Sequence, residues 1–339
     1  MAAGWRGKRR TVWTVVLAVL VVIGLAIGVG AAIVAAWNEG QSTAAGPEAG
    51  ASPTPGDTAD GSPETGGTDG GSDTGGDPDD GADGIAYVAL GDSYAAGQGA
   101  GDYSDGRCLR SAAGYPALLD ADPGIRLAGN LSCSGDTTDD LLAGQLGALG
   151  DDTRLVTVTI GGNDLGAIQV AAACSTDEAS AECQSRLAAA EATLAPGGAL
   201  QERLNETFAR IRAAAPDARI VATGYPNLFE ESAAGAAGDA TLIASLTAAT
   251  AALNANIRSA VDAQAGAGAD IVFAEVVDAF AGHGVGSTDP WILSTGPDLF
   301  HPTAAGYAAY ADVIRAALDC DAAPAASTGG RTGDAGVCL

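Results

Sequence analysis

Three short strings occur in one order along the chain: Gly91-Asp92-Ser93-Tyr94, Gly161-Gly162-Asn163-Asp164 and Asp298-Leu299-Phe300-His301-Pro302. They supply a hydroxyl, a carboxamide, and an imidazole with a carboxylate three residues before it. A serine hydroxyl is a weak nucleophile until a base takes its proton. His301 is one of only two histidines, so it competes with His283 alone for that role. Pro302 suits the first turn of a helix, and Asp298 is close enough in sequence for its carboxylate to hold the imidazole tautomer. Attack on a carbonyl creates a negative oxygen that needs fixed donors. Asn163 offers its side-chain amide. Gly135, in Cys133-Ser134-Gly135-Asp136-Thr137, offers a backbone N–H at a helix start, where amides are unpaired. Ser93 offers its own N–H. The candidate catalytic residues are therefore Ser93, His301 and Asp298, with an oxyanion hole of Ser93, Gly135 and Asn163. Each string alone also reads as an ordinary turn, or as a capping Asp beside a surface histidine. The chemistry rests on their joint presence.

Alternating strand and helix patterns decide whether they meet. Ile85–Leu90, Ile125–Gly129, Leu155–Ile160, Arg219–Thr223 and Asp270–Ala274 read as strands. Ala112–Ala121, Thr137–Leu149, Leu200–Ala215, Ala240–Gln264 and Thr303–Leu318 read as helices. Such alternation predicts a five-stranded parallel sheet with helices on both faces. Ligands bind such sheets outside the carboxyl ends of the strands. Ser93 follows strand one, Gly135 strand two, Asn163 strand three, and His301 follows strand five across a longer loop. The topology gathers all four at one edge. Ser93 is not in a Gly-x-Ser-x-Gly elbow, because Ala95 stands where the second glycine would be.

The rest of the chain speaks to address. Net charge is −26, which leaves no electrostatic footprint for nucleic acid. Arg6, Lys8, Arg9 and Arg10 lie in a basic tail, residues 1–10. Thr11–Trp37 has no charged residue and exceeds the about 7–15 residues of a cleaved signal core. Residues 11–37 therefore read as a transmembrane signal anchor, cytoplasmic at its N-terminus, with Trp13 and Trp37 near its ends. Ser42-Thr43-Ala44 keeps open the alternative of cleavage and secretion. Residues 38–83, rich in Gly, Ser, Thr, Pro and Asp, read as a disordered acidic linker. Residues 84–321 are the folded domain and 322–339 a C-terminal tail. Six cysteines in an exported chain suggest disulfides. Spacing does not choose among the roughly 15 pairings that six cysteines allow; the sequential set, 108–133, 174–183 and 320–338, is the expectation. The spacing does not resemble a zinc site, and no metal or cofactor is expected.

The strings and their order resemble the SGNH hydrolases, or GDSL lipase/esterase family, named for residues that map onto Ser93, Gly135, Asn163 and His301, with Asp298 as the triad acid. The resemblance covers Ile85–Leu318. The Cys-Ser-Gly-Asp-Thr-Thr string, Phe280-Ala281-Gly282-His283 and Asp289-Pro290-Trp291 resemble the actinobacterial secreted lipase branch. Tyr94 replaces the usual leucine. Gly286 stands where that branch often has a cysteine, so the third disulfide differs. The resemblance implies a three-layer flavodoxin-like α/β domain and a monomeric extracytoplasmic serine esterase or lipase acting through an acyl-enzyme. It also implies that some members anchor the histidine through a backbone carbonyl. Acetyl ester hydrolysis on envelope polysaccharide is the alternative within the class, and a catalytically silent surface binding protein the alternative outside it. His283 reads as a structural loop residue, with a second base or a substrate contact as the alternatives. Trp291 and Ile292 are candidates for an acyl pocket or for ordinary core. Gly97–Gly106 reads as a rim beside the serine or as a loop held by Cys108.

Overall fold

The computed structural model describes residues 84–174, 177, 179–230 and 240–319. The basic tail, the apolar span, the linker, the C-terminal tail and a Cys320–Cys338 bridge lie outside the described residues. Strands β1 (Ile85–Gly91), β2 (Ile125–Asn130), β3 (Thr153–Thr159), β4 (Arg219–Thr223) and β5 (Ile271–Ala274) pair in parallel. Their order is β2-β1-β3-β4-β5. Between and after them run α1 (Ser93–Ala96), α2 (Tyr115–Asp120), α3 (Thr138–Gly144), α4 (Ala167–Cys174), α5 (Ala181–Leu194), α6 (Ala199–Ala214), α7 (Ala240–Gly266) and α8 (Ala304–Asp319).

The strand order dictates the layers. Parallel crossovers are almost always right-handed. A step from β1 outward to β2 therefore puts its helix on one face, and the steps from β2 back through β3, β4 and β5 put theirs on the other. The packing follows this rule: α2 packs on α8, while α3, α6 and α7 pack in sequence. The direction reverses between β1 and β3, and there ligands bind in open α/β sheets. Ser93 follows β1 and Asn163 follows β3, so the reversal places both candidates at the same crevice.

Burial on both faces explains the near-continuous apolar runs of the strands. Tyr87, Leu90, Val156, Val158 and Val221 are buried in the sheet. From one side α6 adds Leu200, Leu204, Phe208 and Ile211, which recur at helical spacing. From the other α8 adds Tyr307, Tyr310 and Ile314.

Three local differences from the sequence reading have physical causes. Helix α2 begins at Tyr115 rather than Ala112, because Gly114 is an extended N-cap packed against Gly97. Helix α3 gives way after Gly144 to a 3₁₀ turn over Leu146–Ala148, because Gly144 and Gly147 are poor helix formers. Helices α4 and α5 add to the five helices that the sequence pattern predicts; both are Ala-rich and weakly amphipathic. They are joined by the Cys174–Cys183 disulfide, one of two bridges that match the sequential pairing; the other is Cys108–Cys133. Among the described residues no helix is long and apolar enough to cross a membrane.

The β1–β3 pairing depends on one glycine. Gly91 has φ 129°, and a Cβ there would lie 2.1 Å from the Thr159 carbonyl oxygen. Gly91→Ala combines a disfavoured backbone conformation with a backbone clash. The expected outcome is a loss of roughly 4 kcal/mol or more in urea unfolding, an exceptional value for one methyl group. A loss below about 1 kcal/mol would show that the strands separate without cost.

Candidate active site

Strand β1 ends at Gly91 and delivers Asp92 as N-cap of α1, with Ser93 as its first helical residue. The Asp92 carboxylate accepts the Tyr94 N–H at 2.9 Å. This cap fixes the turn. The Ser93 N–H stands in the first turn of the helix, where no intrahelical carbonyl is available to it. Its hydroxyl meets the imidazole: Ser93 Oγ lies 2.8 Å from His301 Nε2, across 208 positions of sequence.

His301 is presented by a strained turn. Phe300 has φ 67°, an uncommon left-handed conformation for a bulky residue. Its N–H donates to the Leu293 carbonyl at 2.8 Å, and its carbonyl accepts from the Tyr94 hydroxyl at 2.5 Å. The turn folds the chain so that the Asp298 carbonyl, which receives the His301 N–H, also faces Nδ1 at 3.3 Å. The Leu299 carbonyl lies 3.1 Å from the same nitrogen. Carbonyl oxygens only accept, so Nδ1 carries the proton and Nε2 presents its lone pair to the serine.

This arrangement corrects the expectation for Asp298. Its side-chain carboxylate is turned away from the imidazole. It accepts instead from Gln98 Nε2 at 3.0 Å and from the Tyr103 hydroxyl at 2.8 Å. The left-handed residue at 300 aims backbone carbonyls at Nδ1 and sends the carboxylate toward the loop after α1. That loop, within Gly97–Gly106, is fastened rather than free: the Gly99 N–H donates to Tyr103, and a Cβ on Gly99 would press on His301.

The other two candidates converge from β2 and β3. Gly135 has φ 88° and is exposed. The bonds on either side of it fix its place. The Cys133 N–H donates to the Gly91 carbonyl at 3.0 Å, and Cys108–Cys133 ties the loop to the segment after the nucleophile. Asn163 Nδ2 donates to the Asp136 carbonyl at 2.9 Å. An amide nitrogen has two hydrogens, so one remains for a ligand. Asp164 is held by Thr138, through N–H at 3.0 Å and hydroxyl at 2.5 Å, at the start of α3. The structure thus brings Ser93, His301, Gly135 and Asn163 to one edge, with Asp298 contributing backbone.

Burial dominates the electrostatics. It lowers the pKa of His301 below the usual 6.5, against the upward pull of the Asp298 and Leu299 carbonyls and the Asp298 charge. It pushes Asp92 up to about 7, partly offset by hydrogen bonds from Tyr225 and Tyr94. It also raises Asp164, which Thr138 and Arg203 counteract.

His283 lies in the preceding loop, stacked on Trp291 at 3.5 Å with Nδ1 2.8 Å from the Asp289 carbonyl. This matches its reading as a loop residue. Ile292 is buried in the core and bridges to Pro302, so it lines no acyl pocket. Sequence reading missed Tyr94 as the tie to Phe300, and Gln145. The Gln145 carboxamide bonds both Gly91 N–H and carbonyl, at 2.8 and 2.9 Å, and donates to Asp136. A glutamine in a helical stretch carries no signal of such a clamp. Among the described residues no cluster of three His, Cys, Asp or Glu could hold a metal ion.

Comparison with known proteins adds relatives to this geometry. The model of the GDSL-like Lipase/Acylhydrolase family matches residues 89–309. Lipase 1 of Streptomyces coelicolor is 37% identical over 227 residues, covering 65% of this chain and 81% of that protein. A lipase of Streptomyces rimosus is 38% identical over 227 residues, with the same coverage of 65% and 81%. The crystal structure of an extracellular lipase of Streptomyces rimosus shares 35% identity and superposes with a TM-score of 0.61, covering 69% of this chain and 99% of that one. A phospholipase A1 from Streptomyces albidoflavus gives 35% and 0.60, covering 68% and 98%.

Two outcomes follow from the imidazole's surroundings. Replacing a carboxylate that orients the base typically costs about 10⁴ in rate. Here the carboxylate is elsewhere, so Asp298→Asn is expected to lose no more than about tenfold in kcat; a loss near that full factor would place the carboxylate on the imidazole. The base must be unprotonated to act. With its pKa lowered, it stays free at more acidic pH, so the acid limb of kcat/KM is expected below pH 6.5. A pH–rate profile on a neutral ester measures it, and a midpoint above that value contradicts it.

Proposed function

The chain belongs to the GDSL-like lipase/acylhydrolase family and is a hydrolase of the lipase/esterase type, and we propose that Ser93 is the nucleophile through which it cleaves carboxylic esters. The observation that carries this reading is the 2.8 Å approach of Ser93 Oγ to His301 Nε2. His301 takes the hydroxyl proton as the oxygen attacks the acyl carbon. The negative oxygen that forms is held by the Ser93 and Gly135 N–H groups and by the Asn163 amide. Collapse expels the alcohol, to which the imidazolium returns its proton. Water then attacks the acyl-serine with His301 again as base, releasing the acid. The proton on Nδ1 stays between the two backbone carbonyls throughout, so the imidazole need not rotate.

Lipid esters are the favoured substrate class, since the relatives named above are lipases and a phospholipase A1. The enzyme acts outside the cytoplasm in this reading. Two disulfides suit an oxidising compartment, and one similar structure is of an extracellular lipase. Residues 11–37 would hold the catalytic domain at the membrane through the linker 38–83, unless cleavage near Ala44 releases it. The enzyme acts as a monomer, with the site complete within one chain.

Labelling with a fluorophosphonate on intact cells tests chemistry and address together. The wild-type enzyme is expected to label and to hydrolyse short p-nitrophenyl esters. Ser93→Ala should lose both by at least about 10³-fold, since the nucleophile carries the covalent route. Equal labelling of the two proteins would remove the proposal.

A further inference from the structure

Tyr225 opens the loop after β4, in Gly224-Tyr225-Pro226, and touches neither nucleophile nor base in the steps above. Its hydroxyl nonetheless stands between the two turns that carry Ser93 and Asn163. It donates to Asp92 Oδ2 at 2.5 Å. It accepts the Gly162 N–H at 3.2 Å. Asp92 is the residue before the nucleophile, and Gly162 is the residue before the oxyanion amide. One oxygen atom therefore links the two halves of the site from below.

The phenol is held so that this link is stiff. Asn254 on α7 clamps the Tyr225 backbone at both ends: its Oδ1 accepts the Tyr225 N–H and its Nδ2 donates to the Tyr225 carbonyl, each at 2.8 Å. The ring meets Tyr94 edge-on, with centroids 5.0 Å apart. Tyr225 is 7% exposed and Asp92 1%, so both partners are buried. Gly162 is pressed onto the ring. A Cβ there would lie 3.3 Å from the phenol carbons, although its φ of −61° suits any residue. Space, not backbone conformation, calls for glycine.

We propose that Tyr225 is a positioning residue whose hydroxyl sets the distance of Asn163 from Ser93, and through it the stabilisation of the oxyanion. The inference rests on the reading of Ser93 and Asn163 given above. Catalytic donors must be placed within about 0.5 Å of their productive positions. Among the described residues the Asn163 side chain is tethered to Asp136. The turn that carries it has Tyr225 as a second tether. Loss of the hydroxyl leaves the Gly162 N–H unpaired beside a buried carboxyl, and the turn relaxes to find another partner. An interaction felt mainly in the transition state lowers kcat and leaves KM.

A double-mutant cycle tests this with Tyr225→Phe and Asn163→Ala, measured as kcat and KM on a soluble ester. Asn163→Ala alone is expected to cost about 10²–10³ in kcat, as for a lost oxyanion donor. Tyr225→Phe alone is expected to cost about tenfold or more in kcat with KM within about twofold. In the Asn163→Ala background the same change should cost less than about threefold, because the residue it positions is gone. Equal factors in both backgrounds, or no loss from Tyr225→Phe, overturn the inference. If Tyr225→Phe does not unfold cooperatively, Asp92→Ser takes its place. A serine still caps the Tyr94 N–H but is too short to receive the phenol, and the same non-additivity is expected. An Asn163→Ala enzyme of full activity would instead remove the oxyanion assignment itself, and is read from that arm alone.

Discussion

The hydrogen bond between Ser93 and His301 joins the first strand of the sheet to the turn before the last helix. Nothing local brings them together, so the geometry of both ends has to be set by other contacts. Tyr94 does this for both. It is the residue after Ser93, the proposed nucleophile, and its hydroxyl holds the carbonyl of Phe300, the residue before His301. Its ring also lies 5.4 Å from the imidazole centroid. Gly99 completes the fit from the side: with any Cβ it would meet the Pro302 carbonyl at 2.3 Å. The turns that carry Ser93 and His301 therefore pack as one unit.

Polar groups do in this crevice what apolar side chains do in the core. Asp92, Gln145 and Tyr225 are all buried, and each has its hydrogen-bonding partners in the turns at the strand ends. Buried polar groups without partners are costly, so a satisfied network tolerates few other arrangements. Gln145 shows the principle most plainly. Its carboxamide pairs with the Gly91 backbone in both directions, as a neighbouring strand would, and also reaches Asp136 on the loop of Gly135. Position is thus carried from the sheet to the loops through hydrogen bonds of fixed length rather than through deformable packing.

The parts legible in sequence are those whose cause is local or periodic. Arg219–Thr223 reads as a strand because Ile220, Val221 and Thr223 form a short β-branched run, four of whose five residues prove buried, and Leu200, Leu204 and Phe208 announce the face of α6 by spacing. Chain order and strand ends then bring Ser93, Gly135, Asn163 and His301 to one edge with no further information. The rest depends on backbone angles and on partners distant in sequence. That the Asp298 carbonyl and not its carboxylate faces the imidazole follows from a positive φ at Phe300, which nothing in the composition of Asp-Leu-Phe-His-Pro requires. Tyr225 and Asp92 are 133 positions apart, and a tyrosine after a strand reads as core. Helices α4 and α5 escaped because alanine favours a helix but marks no face.

Anchoring by carbonyls has a chemical consequence. A carbonyl dipole fixes the tautomer as well as a carboxylate does, because it too can only accept the Nδ1 proton. It answers less of the positive charge that appears when the ring takes the serine proton. The Asp298 charge acts on the ring from a distance, without a hydrogen bond, and burial outweighs it together with the carbonyls. The imidazole is then a weaker base than one paired with a carboxylate, but it is unprotonated at neutral pH. If His301 is the base, as proposed, a weaker base leaves more of the barrier to the proposed oxyanion donors, since proton transfer supplies less driving force. In the proposed mechanism the bonds that hold the two loops, Asn163 to the Asp136 carbonyl and Cys133 to the Gly91 carbonyl, then matter as much as the base itself.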